Sequence, residues 1–149
     1  MRVVPATPSL VPFLLERMGP ERVAALAERV GGDPELAILA NLPSSTITWA
    51  GIDPGGVVVL GGISKVEGQH STGYVWQFLT DAVRQNKRDY LILSRNIVRM
   101  GHQRYERLLV AIEDDYKAAM RHIERMGGQI RMTEAMHGHL VHYYERTRA

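Results

Sequence analysis

The chain has 149 residues, with 18 basic and 16 acidic side chains, six histidines and no cysteine. This length suits one domain spanning residues 1–149, and it is enough chain to bury a core without staples. The absence of cysteine excludes a disulfide framework, a thiolate zinc site and a cysteine nucleophile. No apolar run is as long as a membrane-spanning helix, which needs about 20 residues. Residues 1–5 do not resemble the start of a signal peptide, so we expect a soluble, intracellular-type protein.

The first part of the chain predicts a short strand followed by three short helices. Residues 2–6 favour an edge strand, because Pro5 is tolerated only at an edge or a strand end. Ser9 and Asp33 are typical helix N-cap residues, and Pro20 suits the first turn of a helix. The predicted helices span 9–18, 21–30 and 35–41.

The middle of the chain changes to the alternating, β-rich pattern of strands. Residues 46–52 and 57–66 flank Asp53-Pro54-Gly55-Gly56, a turn in which proline presets φ and glycine allows a positive φ. The sequence therefore predicts a hairpin at this point. Residues 74–79 are mostly apolar, which predicts a central strand buried on both faces.

The last part of the chain predicts helices alternating with strands. Asn86 resembles an N-cap with Asp89 as its capping-box partner, and the helix that follows extends to about His102. The strand–helix–strand unit from 74 to 112 is expected to be a right-handed parallel crossover. The remaining predictions are a strand at 107–112, a helix ending near 126 with a buried stripe (Tyr116, Ala119, Met120, Ile123, Met126), and strands at 129–136 and 138–144.

Positive charge is concentrated in residues 84–107, which carry seven basic and two acidic side chains. Such a segment attracts anions. A solvated helix face, contact with coenzyme phosphates and contact with nucleic acid are the three alternatives, of which the first is favoured. Only Tyr90 and Tyr105 interleave with the basic residues, so a base-stacking platform is not supported and nucleic acid is not expected as a partner.

Titratable residues near the predicted central strand are the candidates for proton transfer. His70 precedes this strand and titrates near neutral pH, so it is a candidate general base, although an exposed loop histidine is the favoured interpretation. Glu67 is a second candidate, but it lies beside a glycine in the same loop and is expected to be a solvated residue.

A His137-x-His139-x-x-His142 run lies near the end of the chain. On a strand, His137 and His139 share a face and His142 points the other way. Two imidazoles without a clear third ligand make a weak zinc site, and we predict no metal.

The second half also contains a set of residues with a characteristic spacing. They are Ser94-Arg95-Asn96-Ile97-Val98, Arg104-Tyr105, Leu108, Val110, Ile112, Ala119, Ile123 and Met126-Gly127, preceded by Trp76 to Thr80. With the order of the elements, this spacing resembles the GNAT acetyltransferase superfamily. It is similar in particular to the GNAT-like proteins of tailed bacteriophages, which include an internal virion protein linked to particle morphogenesis.

The resemblance implies an α/β (α+β) fold, with one GNAT-like domain built on a mixed, splayed sheet of six to seven strands flanked by helices. It also implies an acetyl-CoA site. Gln77, Phe78, Leu79 and Thr80 would hold the pantetheine arm. Arg84, Lys87 and Arg88 would meet the phosphates.

Two features depart from the superfamily pattern. The loop 81–89, at the position where glycines usually cradle the pyrophosphate, contains no glycine. Ile123 occupies the position of the tyrosine that usually protonates the thiolate. Tyr116 lies two turns earlier and is a further weak candidate for that role.

Two hypotheses follow from the resemblance and its departures. The favoured one is a non-catalytic phage particle component or assembly factor with a degenerate acetyl-CoA site. Other phage structural proteins would then be its partners, in the virion or the host cytoplasm, with homo-oligomers possible in either case. The alternative is a divergent acetyl-CoA-dependent N-acetyltransferase. An open gap between the strands around Phe78 and Val110 would favour coenzyme binding, and a filled gap would favour the first hypothesis.

Overall fold

A seven-stranded mixed sheet is the centre of the fold in a computed structural model of the chain, which describes residues 1–114, 116–136 and 138–148. The strands are β1 (Arg2–Val4), β2 (Ser45–Asp53), β3 (Gly56–Lys65), β4 (Thr72–Leu79), β5 (Arg107–Glu113), β6 (Gln129–Met136) and β7 (His139–Thr147). The helices are α1 (Val11–Met18), α2 (Pro20–Val30), α3 (Pro34–Asn41), α4 (Lys87–Arg104) and α5 (Lys117–Arg125), with 3-10 turns at Pro8–Leu10 and Asp81–Asn86. No helix in the described ranges combines the length and apolar character needed to cross a bilayer.

The strand order is β1-β2-β3-β4-β5-β7-β6. Neighbouring strands are antiparallel, except that β4 and β5 are parallel. The predicted parallel crossover and the central position of residues 74–79 are therefore confirmed. The predicted single-sheet α/β fold is confirmed with them.

Helices cover both faces of the sheet and create two core clusters. On one face, Val11, Leu14 and Ile38 from α1 and α3 pack with Leu60 and Trp76. On the other face, Leu93 and Ile97 of α4 pack with residues that include Trp49, Ile63 and Leu108. Each fully buried large apolar side chain contributes about 1.5–3 kcal/mol, so these two clusters hold the helices against the sheet.

The strand that is buried on both faces is β3, not β4. Val57 to Ile63 are all buried, whereas Gln77, Phe78 and Leu79 of β4 are only half-buried. Within residues 74–79 only Trp76 is buried, so the prediction of a strand buried on both faces is wrong for β4. For Gln77 to Leu79 the physical reason is that β5 diverges from β4 and leaves one edge of β4 without a neighbouring strand.

Local capping signals were correct at one predicted helix start and wrong at two. Asp33 Oδ1 accepts a hydrogen bond from the Glu35 amide at 2.9 Å and caps α3 as predicted. Ser9 instead shares a hydrogen bond with Thr7 and lies in a 3-10 turn, so it does not cap α1. The Asn86 side chain makes no cap hydrogen bond to α4, because it is engaged by other groups described below.

Candidate functional site

A cleft opens where β4 and β5 diverge. Their pairing covers Thr72 to Tyr74 against Arg107 to Leu109. Beyond this point β4 remains paired with β3 as far as Leu79, and β5 remains paired with β7 as far as Glu113. Both strands therefore continue as strands while the gap between them widens into a cavity of about 350 Å³. The gap is open rather than filled by side chains.

Five elements form the walls of this cleft. β4 contributes Gln77–Leu79, β5 contributes Ala111–Glu113, and α2 contributes one of its faces. Tyr116, at the N-cap of α5, and Ala119 within α5 line the cleft from the side of that helix. The lining side chains from α1 and α2 are Met18, Arg22, Ala25, Leu26 and Arg29. Most of the lining is apolar, with a few polar groups, as in small-molecule sites.

An ion pair lies at the β5 end of the cleft. Arg29 Nε is 3.0 Å from Glu113 Oε2, and the two side chains are 30% and 17% exposed. The Arg29 guanidinium also lies 4.9 Å from the centre of the Tyr116 ring, a cation–π distance. Glu113 Oε2 is buried and accepts no well-directed hydrogen bond from the described residues. Glu113 was not among the predicted site residues, because it follows an apolar strand and no motif marks it.

A second arginine of the cleft lies nearer the start of α2. Arg22 is 3.0 Å from Asp81 Oδ1, and the Asp81 side chain is 76% exposed. Arg22 and Arg29 are two turns apart on α2, about 10.5 Å along the helix axis. The sequence gives the spacing of these two arginines, but it does not predict that both side chains face β4 and β5.

A polar cluster lies on the α4 side of β4. Gln77 Nε2 donates to the Tyr90 hydroxyl at 3.2 Å, and the Tyr90 and His122 rings are 6.0 Å apart. Gln77 Oε1 and His122 Nε2 are buried without a hydrogen-bond partner among the described residues. Burial raises the pKa of Tyr90 and lowers the pKa of His122, so both are neutral at neutral pH.

The predicted phosphate-binding residues lie beyond the other end of the cleft, where β4 leads into α4. Arg84, Lys87 and Arg88 are exposed, and none of them makes an ion pair within the described ranges. The glycine-free segment forms the 3-10 turn Asp81–Asn86 rather than an open loop. The Thr80 hydroxyl is buried and donates to the Val58 carbonyl at 3.0 Å, so its side chain serves the fold.

An anchored network fixes the start of α4. Asp53 accepts two hydrogen bonds from Arg17, at 2.6 and 3.1 Å, and one from Asn86 at 2.9 Å. Asn86 also donates to the Ala82 carbonyl at 2.9 Å. Asp89, the predicted capping partner of Asn86, instead pairs with the Met1 ammonium at 2.8 Å.

The three weak catalytic candidates are not brought together. Glu67 and His70 are exposed in the loop that connects β3 to β4. That loop precedes Thr72, and the cleft lies toward Leu79, about 23 Å away at the rise of a strand. Tyr116 does line the cleft, whereas Ile123 is half-buried two turns further along α5.

The histidine run is placed only in part, because His137 lies outside the described residues. His142 uses both ring nitrogens, at 2.7 Å from Asp114 Oδ1 and 2.8 Å from Thr133 Oγ1. His139 is exposed. The described residues contain no group of three or more potential metal ligands.

Solved structures match nearly the whole chain. A protein described as a candidate phosphinothricin N-acetyltransferase has a TM-score of 0.77 at 14% identity, over 99% of this chain and 98% of that chain. A ribosomal-protein-alanine N-acetyltransferase from Brucella melitensis has a TM-score of 0.72 at 14% identity, over 99% and 100%. The aminoglycoside acetyltransferase AAC(6')-Ib, in complex with coenzyme A, has a TM-score of 0.70 at 15% identity, over 98% and 94%.

Comparison with protein-family models gave no match. Comparison with curated protein sequences gave none either. At these low identities the structural likeness establishes the fold alone. The chain has the GNAT acetyltransferase fold, as the order of its elements predicted.

Proposed function

We propose that this protein binds acetyl-CoA between β4 and β5 and transfers the acetyl group to an amine. The observation that carries the proposal is the open cleft between two strands that remain strands while they diverge. Main-chain groups along the facing edges of such strands require partners. An extended, amide-containing arm can pair with such an edge as an added strand does.

The residues present fit the coenzyme at both ends of the cleft. The half-buried Gln77 to Leu79 would hold the pantetheine arm, and Arg84, Lys87 and Arg88 supply positive charge for its phosphates near the start of α4. Charge of this kind and a helix N-terminus both favour phosphate groups. When bound, acetyl-CoA supplies an acetyl group on sulfur, which the amine nitrogen accepts as the carbon–sulfur bond breaks.

Glu113 is the group that we assign to take the proton from the attacking amine. Among the described lining residues it is the one carboxylate, and it contacts Arg29, which also lies against the Tyr116 ring. A general base must lie within reach of the proton that it takes, and an amine bound in the cleft would bring that proton to the wall where Glu113 lies. Tyr116 also lines the cleft, and it is the predicted candidate that would return a proton to the leaving sulfur.

A second candidate function is the phage particle component predicted from the sequence. It is favoured by the 3-10 turn Asp81–Asn86, which replaces a glycine loop, and by Ile123 at the usual acid position. In this case the cleft would bind without catalysis, or not bind the coenzyme at all. The fold and the comparisons do not address the phage resemblance, which stays a prediction.

The test is calorimetric titration with acetyl-CoA and coenzyme A, followed by an acceptor screen that measures release of free thiol. We expect micromolar binding that Arg84→Ala/Arg88→Ala weakens by about tenfold or more, since two charge-assisted contacts are lost. Arg95→Ala/Arg99→Ala is the matched control, because it removes the same charge from exposed positions further along α4.

The outcomes separate the two functions. Binding with thiol release supports acetyl transfer. Binding without turnover of any amine supports the binding-only alternative. No heat and no thermal shift at millimolar ligand would contradict a coenzyme site. An equal loss in the control variant would show that only net charge matters.

A further inference from the structure

The charged side chains that line the cleft suggest which acceptor it takes. Among the described residues they are Arg22, Arg29 and Glu113. A plain amine needs only the carboxylate. Because Asp81 already pairs with Arg22 at 3.0 Å, Arg29 is the arginine that complements an acceptor carrying an anionic group in addition to its amine.

The Arg29–Glu113 pair supplies the two complementary charges side by side. Its atoms are 3.0 Å apart, and the arginine and glutamate are only 30% and 17% exposed. Glu113 Oε2 accepts no well-directed hydrogen bond within the described part of the chain. Partly desolvated charges of this kind gain by binding a group that completes their hydrogen bonds.

We propose that the acceptor is an α-amino acid, or a zwitterion of the same shape, with an apolar side chain. Its amine faces Glu113 and its carboxylate faces Arg29, so each charge of the ligand meets the opposite charge of the pair. The apolar side chain packs on Met18, Leu26 and Phe78, which line the same cleft. This inference rests on the proposed acetyl transfer, because it names the substrate class of that site.

The size of the cleft agrees with a small acceptor. Its volume of about 350 Å³ is at the lower end of the range of ligand pockets, about 300–1,000 Å³. The acyl-bearing end of the coenzyme must share this space with the acceptor. The cleft therefore suits a single amino acid rather than a folded protein surface.

The test uses three probes that share one side chain: leucine, leucinamide and 3-methylbutylamine. The first carries a carboxylate, the second a neutral amide and the third neither. Binding is measured by calorimetry with and without coenzyme A, and acetylation by mass spectrometry of the products. We expect leucine to bind about tenfold or more tightly than the other two, since one charge-assisted contact is at stake.

Two variants assign the two charges, and a third serves as the control. Arg29→Gln should lower the affinity for leucine to that for 3-methylbutylamine, and it should not change the affinity for 3-methylbutylamine. Glu113→Gln should weaken all three probes, because each carries an ammonium group. Arg99→Gln removes an exposed arginine of α4 and should change none of the affinities. Thermal melts of every variant show whether the fold is retained.

Each result decides the proposal. A preference for leucine that Arg29→Gln abolishes supports it, even if acetyl-CoA fails to bind, in which case only the proposed transfer is wrong. Equal binding of the three probes, or no binding at millimolar concentration, overturns the acceptor class. If acetyl-CoA binds and 3-methylbutylamine is acetylated as well as leucine, acetyl transfer stands and the zwitterion inference is wrong.

Discussion

Replacing Arg17 by Gln tests the network that connects α1, the β2–β3 turn and the start of α4. Arg17 makes two hydrogen bonds to Asp53, at 2.6 and 3.1 Å, with the side chains 25% and 12% exposed. Asp53 also accepts hydrogen bonds from Asn86 and from the Gly55 amide. Arg17→Gln leaves this carboxylate without its cation.

The expected loss lies between two known limits. Breaking a fully buried pair costs about 3–5 kcal/mol, whereas an exposed pair contributes about 0–1 kcal/mol. Because water reaches part of both side chains, we expect about 2 kcal/mol, which lowers the melting temperature by about 4–8 °C for a chain of this size.

The loss should depend on pH in a defined direction. The Arg17 hydrogen bonds hold the pKa of Asp53 well below its usual range. A carboxylate whose pKa is lowered by folding contributes stability above its unfolded pKa, about 3.9, and loses it as pH falls toward the folded value. The difference in melting temperature between wild type and Arg17→Gln should therefore be largest at pH 6–7 and should become smaller below about pH 4.

Thermal unfolding followed by circular dichroism from pH 2.5 to 7 measures this difference. Arg22→Gln is the matched control, because its partner Asp81 is 76% exposed. Loss of an exposed pair of about 0–1 kcal/mol should lower the melting temperature by less than about 4 °C. Equal losses in the two variants, or a loss for Arg17→Gln that does not change with pH, would refute the reasoning.

Two further substitutions test the cleft and the sheet. Ala111→Phe fills the cleft from β5, so it should abolish acetyl-CoA binding measured by calorimetry and leave the melting temperature unchanged. Ala118→Phe, at an exposed position, should change neither quantity. Unchanged acetyl-CoA affinity in Ala111→Phe would place the coenzyme elsewhere. Gly61→Ala would put a Cβ atom 2.6 Å from the Trp76 carbonyl oxygen, a backbone group that cannot rotate away. We expect Gly61→Ala to lower the free energy of unfolding in urea by about 1–3 kcal/mol. Gly32→Ala, with open space around it, should leave this free energy unchanged. An unchanged free energy of unfolding in Gly61→Ala would contradict the close packing of β3 on β4.

The sequence by itself determined the elements whose signals are local. Asp33 predicted the start of α3 because a cap acts within one turn, and the observed cap uses the predicted side chain. Asp53-Pro54-Gly55-Gly56 predicted the β2–β3 hairpin, and Gly56 has the positive φ that such a turn requires. The order of strands and helices followed from these signals and from apolar periodicity, and the resemblance of this order to the GNAT superfamily predicted the fold.

Only the tertiary structure decided where β4 and β5 separate and which side chains face the cleft. Arg29 and Glu113 lie far apart in the sequence, and no local pattern links the end of α2 to the end of β5. Asn86 is a typical helix N-cap residue, yet its side chain donates a hydrogen bond to Asp53 of a distant hairpin. The reason is physical: capping and periodicity depend on neighbours within a turn or a strand, whereas charge pairing across a cleft depends on packing that no short segment contains.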